Sequence, residues 1–184
     1  GPTVSVSEGQ KAQNRTYQDL LKNPNDEYNF EQLALSEIKK ISLDGKVTNW
    51  GPAAMYDDIY FSPDGTYVMV DEIKKPFSYI VPYRRFPQQT KLLNSDGKIL
   101  KTINDVPLTE VLPKGFMSVR KGKRSMSWRD DQPATLVWAE ALDNGDPEQE
   151  VEFRDEVFML KAPFDKEPTS ILKTINRYSG ISWS

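Results

Sequence analysis

The sequence predicts an all-β chain: a partial β-propeller of four-stranded antiparallel blades, with short helices near the N-terminus. Three observations carry this. From about residue 37 onward, apolar residues alternate with polar ones in short runs, the period of a strand rather than of a helix. Turn chemistry recurs between those runs, at Asp44-Gly45, at Ser62-Pro63-Asp64-Gly65 and at Ser95-Asp96-Gly97. A hexapeptide is also repeated: Ile99-Leu100-Lys101-Thr102-Ile103-Asn104 returns unchanged as Ile171-Leu172-Lys173-Thr174-Ile175-Asn176, 72 residues on. Met126-Ser127-Trp128 is echoed by Ile181-Ser182-Trp183, and Phe61 holds the equivalent place one unit earlier. Each unit runs aromatic-bearing strand, turn, apolar strand, long loop, strand, turn, strand. Four strands, repeated, are the signature of propeller blades, here with loop insertions because the period exceeds the usual ~40–50 residues. Chance recurrence in the small vocabulary of strands, and a β-sandwich of ordinary hairpins, are the alternatives.

The elements follow in order. Residues 1–15 are polar, without an apolar period, and read as an extended arm or linker; residues 16–184 form the partial propeller. Thr16 and Asp19 stand at capping-box-like spacing ahead of Leu20 and Leu21, and Pro24 is expected to end that turn. Asp26 is expected to cap a second short helix, with Phe30, Leu33 and Ala34 on one face. Ile41 and Leu43 lead into a hairpin whose return strand is residues 46–50. Residues 59–61 and the β-branched run 66–70 make a strand pair, the second member buried. Residues 91–94 and 98–103 form another hairpin. The second half repeats this with strands at 125–129, 134–141, 156–160 and 170–175, and a further strand beginning at Gly180. The content is about two complete blades and parts of two others. A propeller closes with roughly four to eight blades, so the chain is expected to be a fragment or to close through association.

Composition bounds the chemistry. The chain has 184 residues, 38% hydrophobic and 28% charged, which suits a packed core. It contains no Cys and no His, which excludes thiol nucleophiles, disulfides, imidazole or thiolate metal ligation and any Ser-His-Asp triad completed within the chain. A net charge of −3 gives no reason to expect a nucleic-acid partner, and no run of about 18 apolar residues offers a membrane span. No cofactor is expected.

Four segments stand out: Arg15-Thr16-Tyr17-Gln18-Asp19-Leu20-Leu21-Lys22; Pro76-Phe77-Ser78-Tyr79-Ile80-Val81-Pro82 with Arg85-Phe86-Pro87; Ser118-Val119-Arg120-Lys121-Gly122 continuing through Arg124-Ser125 to Trp128-Arg129; and Tyr178-Ser179-Gly180-Ile181-Ser182-Trp183. In this order they resemble the glutamyl endopeptidase-like branch of the prolyl oligopeptidase family of serine peptidases. The resemblance implies an N-terminal propeller followed by a C-terminal α/β-hydrolase domain that holds the triad. This chain would be a middle part of that propeller. It has no G-x-S-x-G nucleophile elbow, so no catalytic residue is assigned to it. Its expected partners are the missing hydrolase domain, the remaining blades and the parent's peptide substrate.

Four arginines are candidate substrate contacts. The resemblance implies cleavage after acidic residues, and an arginine fork binds a carboxylate through two hydrogen bonds. Arg84 and Arg85 lie in a proline-flanked loop beside Tyr83 and Phe86, where stacking on those rings is the structural alternative. Arg120 and Arg124 belong to the basic stretch 120–124, read either as a solvated loop between blades or as a cationic lining near the channel. Asp143, Asp146, Glu148 and Glu150 could face a hard cation, but without EF-hand spacing a turn explains them better. Asp57-Asp58 and Asp130-Asp131 are poor glycosidase pairs, because neighbours on a strand point to opposite faces and the second pair suits a turn. Phe61, Trp128 and Trp183 are expected to pack between neighbouring blades rather than to form a sugar platform.

The resulting expectation is a non-catalytic propeller segment of a serine peptidase that gates and shapes substrate access. The alternative is a stand-alone β-rich interaction module that self-associates through open strand edges.

Overall fold

The computed structural model describes residues 17–183. The arm expected over residues 1–15 lies outside them. Among the described residues ten strands and one α-helix follow in sequence, so the all-β expectation is borne out.

Helix α1 spans Pro24–Ala34. Two details differ from expectation. Pro24 begins the helix instead of ending a turn, since its fixed φ and missing N–H suit the first helical position. The cap is Asn23, not Asp26: its Oδ1 accepts from the amides of Asn25 and Asp26 at 2.9 and 3.0 Å. Residues 17–22 are not helical, and Asp19 has a φ of 56°; Thr16 lies outside the described residues. Phe30 faces inward, edge-on to Phe77 and Phe86 at 5.1 and 5.7 Å, whereas Leu33 is 87% exposed and does not join that face.

The hairpin of β1 (Lys39–Ile41) and β2 (Val47–Asn49) turns at Asp44-Gly45. Its strands are exposed throughout. It is held at its base by Trp50, whose indole N–H donates to the Ser95 carbonyl at 2.9 Å. That approach needs glycine at position 97: a Cβ there would lie 1.6 Å from the Trp50 carbonyl oxygen, and φ is +79°.

Two four-stranded antiparallel meanders make up the rest. The first holds β3 (Met55–Phe61), β4 (Tyr67–Ile73), β5 (Gln88–Asn94) and β6 (Ile99–Val106) in sequence order. The second holds β7 (Arg124–Trp128), β8 (Thr135–Ala141), β9 (Asp155–Lys161) and β10 (Thr169–Thr174). The first copy of the hexapeptide lies within the fourth strand of the first sheet, and the second copy starts in the fourth strand of the second sheet and runs two residues past it; Phe61 and Trp128 each end a first strand. The first strands also share a bulge, between Tyr56 and Asp58 in β3 and between Arg124 and Ser127 in β7. Residues 180–183 form no strand, contrary to expectation. A strand exists only through its ladder partner, and these residues pair with none of the described ones.

The sheets stack face to face. Met69, Leu92 and Ile103 from the first meet Leu136, Trp138, Leu160 and Phe164 from the second in one buried cluster. The opposite faces are apolar too: Val68, Val70 and Leu93 pack with Trp50 and Tyr56, while Val137, Ala139 and Val157 pack with Ile171, Tyr178 and Trp183. Burial on both faces is why β4 and β8 read as near-continuous apolar runs. Polar bonds add to the join. The Asp64 amide donates to the Pro133 carbonyl at 3.1 Å, and Lys123 Nζ donates to the Ile103 carbonyl at 2.8 Å. No sheet among the described residues closes on itself.

Trp128 reaches back from the second sheet to the first. Its indole N–H donates to the Tyr60 carbonyl at 3.1 Å, and its ring lies 6.1 Å from Phe164. One unit later the Trp183 ring lies against the Arg129 guanidinium at 3.6 Å, just past the end of β7. Phe61 departs from the expected packing: it is 66% exposed and joins none of the buried clusters formed by the described residues.

Candidate functional site

The antiparallel register brings the start of β3, the ends of β4 and β6, and the start of β5 to one end of the first sheet. The second sheet presents the start of β7, the end of β8 and the start of β9 at the corresponding end. Residues 107–123 cross between the sheets there without regular structure. Connections longer than about 12–15 residues are uncommon in compact domains and often form binding loops.

The first part of this connection, together with residues 119–121 and Asn144 of the β8–β9 loop, lines a cleft of about 480 Å³. Val106, Leu108, Val111 and Val119 give it apolar walls, and Arg120 and Lys121 give it positive charge. Arg120 is half-buried. Its Nη1 donates to the Lys121 carbonyl at 3.1 Å, and no carboxylate among the described residues stands within ion-pair reach of it. Burial disfavours its charged form and the neighbouring Arg124 repels it, so its pKa is lowered; Asp71 opposes both from a longer distance. Burial pushes the Asp71 carboxyl up, against a hydrogen bond from the Thr90 hydroxyl; the neighbouring Asp58 and Asp57 add to the rise.

The other three candidate arginines have different surroundings. Arg124 is buried and committed to Asp155. Arg84 is exposed at a single 3₁₀ turn, Tyr83–Arg85. Arg85 lies over the Tyr17 ring at 5.3 Å, so it stacks on a ring other than the two expected from its neighbours in sequence. Its Nη1 is buried without a hydrogen-bond partner among the described residues. The Arg85 carbonyl accepts from the Thr109 amide at 3.0 Å, which ties this turn to the cleft wall.

Beside the cleft lies an ionic cluster that the sequence reading missed. Asp143 and Asp155 are fully buried. Asp143 Oδ2 accepts from Arg154 Nη1 at 2.8 Å and Arg177 Nη2 at 2.6 Å, while its Oδ1 accepts from the Gly145 amide at 2.9 Å. Asp155 pairs with Arg124, accepts from Arg177 Nη1 at 3.0 Å and from the Tyr178 amide at 2.6 Å. Arg177 also donates to the Met117 and Arg154 carbonyls. Asp143 is therefore an internal counter-ion and not part of an acidic patch facing solvent. Burial raises its pKa, but the hydrogen bonds from Arg177, Arg154 and the Gly145 amide outweigh that and hold it below the usual carboxylate range. No group of carboxylates among the described residues is arranged to hold a metal ion. Asp131 likewise serves its turn, bonded twice by Arg129. Asp57 accepts from the Gln88 amide group at 3.0 Å.

Over its whole length the chain is homologous to a segment of larger peptidases. It is 44% identical across 186 aligned residues to a protein of Oryza sativa subsp. japonica named probable glutamyl endopeptidase, chloroplastic. It is 42% identical over the same length to a protein of that name from Arabidopsis thaliana. The alignments cover 100% of this chain but only 20% and 19% of those proteins, so the chain spans about a fifth of the curated relatives it matches. No family model matches the chain, and no solved structure matches it. No helix among the described residues is long and apolar enough to cross a membrane.

Proposed function

We propose that the chain is a non-catalytic segment of the N-terminal β-propeller of a serine peptidase with glutamyl specificity. It contributes two complete blades, the outer hairpin of the blade before them and the start of the blade after. Its role is to shape and gate the path of peptides to a C-terminal α/β-hydrolase domain supplied by the rest of the parent protein. One observation carries the propeller reading: Trp128 and Trp183, at equivalent places in the repeat, each dock at the end of the preceding first strand. The burial of equivalent residues agrees with it. Ile103 is 7% exposed because the second sheet covers it, whereas Ile175, its repeat partner, is 70% exposed for want of a third sheet. The β1–β2 hairpin carries the same Asp-Gly-Lys turn as β5–β6, which suits the last two strands of a preceding blade. Peptidase function rests on the name shared by the two relatives, both of which are 42–44% identical to the chain over its entire length. A chain without His leaves the triad to another domain.

The test uses the full-length parent protein and glutamyl substrates of increasing length. A gating propeller imposes a length ceiling: short peptides turn over and folded proteins do not. Equal kcat/KM for a blocked pentapeptide and a stably folded globular protein would refute gating. The open edges also favour a second reading, self-association through strand pairing. Light scattering on the 184-residue chain separates the two, since the interaction-module reading requires a concentration-dependent oligomer.

A further inference from the structure

The cleft carries a charge that nothing in the fold neutralises at close range. Arg120 sits half-buried on its wall, and its hydrogen bond among the described residues goes to a neutral carbonyl. Three other arginines at this end of the sheets are ion-paired within the protein: Arg124 with Asp155, Arg154 with Asp143, and Arg177 with both. Arg84 and Arg85 carry no ion pair among the described residues, but neither lines the cleft: Arg85 lies over the Tyr17 ring and Arg84 faces solvent. Glu110, a carboxylate on the cleft wall, already accepts from the Ser78 hydroxyl at 2.7 Å. Lys121 adds a second cation, and the half-burial of Arg120 beside apolar walls strengthens a charge-assisted bond made there relative to one in open solvent. Leaving a guanidinium half-desolvated and unpaired is unfavourable, and its planar fork matches a carboxylate.

We infer that Arg120 is the residue that reads the acidic side chain of the substrate, binding its carboxylate in the cleft formed by residues 106–113 and 119–121. This rests on the peptidase reading above and narrows four candidate arginines to one. The ligand class is an extended peptide with a glutamate or aspartate side chain flanked by apolar residues. Asp71 is the internal competitor: it acts on Arg120 through space without pairing, so an incoming carboxylate takes the place of that weaker attraction.

The experiment is done in the full-length enzyme with two peptides that differ only in Glu or Gln at the cleaved position. Arg120→Ala is expected to lower kcat/KM for the Glu peptide about ten- to a hundredfold, the cost of losing a charge-assisted pair, and to leave the Gln peptide within about threefold. Arg120→Lys should retain part of the Glu preference, because charge survives while the fork is lost. Asp71→Asn should move the preference the opposite way, towards tighter Glu binding. Lys98→Ala, at the far end of the first sheet, controls for the loss of one positive charge and should change neither peptide. The Gln peptide reports folding of each variant. If Arg120→Ala keeps the wild-type Glu/Gln ratio within threefold, the assignment of Arg120 is wrong and the peptidase reading stands. If the wild-type protein itself turns over neither peptide, the reading beneath it falls, and the assignment with it.

Discussion

Asp143→Asn should destabilise the protein more than Arg177→Ala does, although arginine is the larger group removed. The cluster holds three arginines, Arg124, Arg154 and Arg177, against two aspartates, Asp143 and Asp155. Neutralising Asp143 leaves three buried or half-buried cations sharing one carboxylate. Removing Arg177 leaves two cations facing two carboxylates, and each aspartate keeps one arginine and one backbone amide. Breaking a buried pair by deleting one partner typically costs about 3–5 kcal/mol. Asp143→Asn belongs at the upper end, about 4–5 kcal/mol. Arg177→Ala belongs near about 3 kcal/mol, most of it from the Met117 and Arg154 carbonyls left without their donor. The assay is equilibrium urea unfolding followed by tryptophan fluorescence. The midpoint should move while the slope holds, because the surface exposed on unfolding is unchanged. A cost below about 1 kcal/mol for Asp143→Asn, or a larger cost for Arg177→Ala, would refute the charge bookkeeping and mean that water reaches the cluster.

The same carboxylate sets an acid limb. Asp143 has a lowered pKa in the folded state, so its stabilisation is complete above the ordinary carboxylate pKa of about 4 and is lost as pH falls through its own lower value; urea midpoints between neutral pH and pH 2 should show that limb flatten in Asp143→Asn. Ile103→Ala should cost about 2–4 kcal/mol in this chain and Ile175→Ala less than about 0.5, since one is buried between sheets and the other faces solvent. In the full-length parent the two costs should converge, and thermal unfolding that kept them apart would argue against a third sheet packed on the second.

Local chemistry made much of the fold readable in advance. Alternation places a strand's side chains on two faces, and Asp-Gly closes a hairpin through its own backbone preference, so the two sheets and their turns follow from near neighbours. The repeat was visible for a related reason: equivalent strands meet equivalent surroundings, and Ile99 to Asn104 returns at the fourth strand of the next sheet. The helix start was misjudged because Asn23 and Asp26 are both competent caps, and only the path of the chain into Pro24 selects between them. Composition likewise shows that no triad can form without His.

Which arginine is free is a different kind of property. Arg120 and Arg124 are four residues apart in one basic run and look alike in sequence. They differ because Asp155, brought in by the pairing of β8 with β9, lands against Arg124 and not against Arg120. Asp143 looked like a solvated acid until Arg177, 34 positions later, folded over it. A charge is neutralised by whatever lies within a few ångströms, at any sequence separation, and Coulomb attraction decays too steeply in water for a near neighbour in sequence to stand in for one in space. The residue types able to pair with a carboxylate were therefore set by the sequence, and which of them already has an internal partner was decided by the sheets that carry those partners.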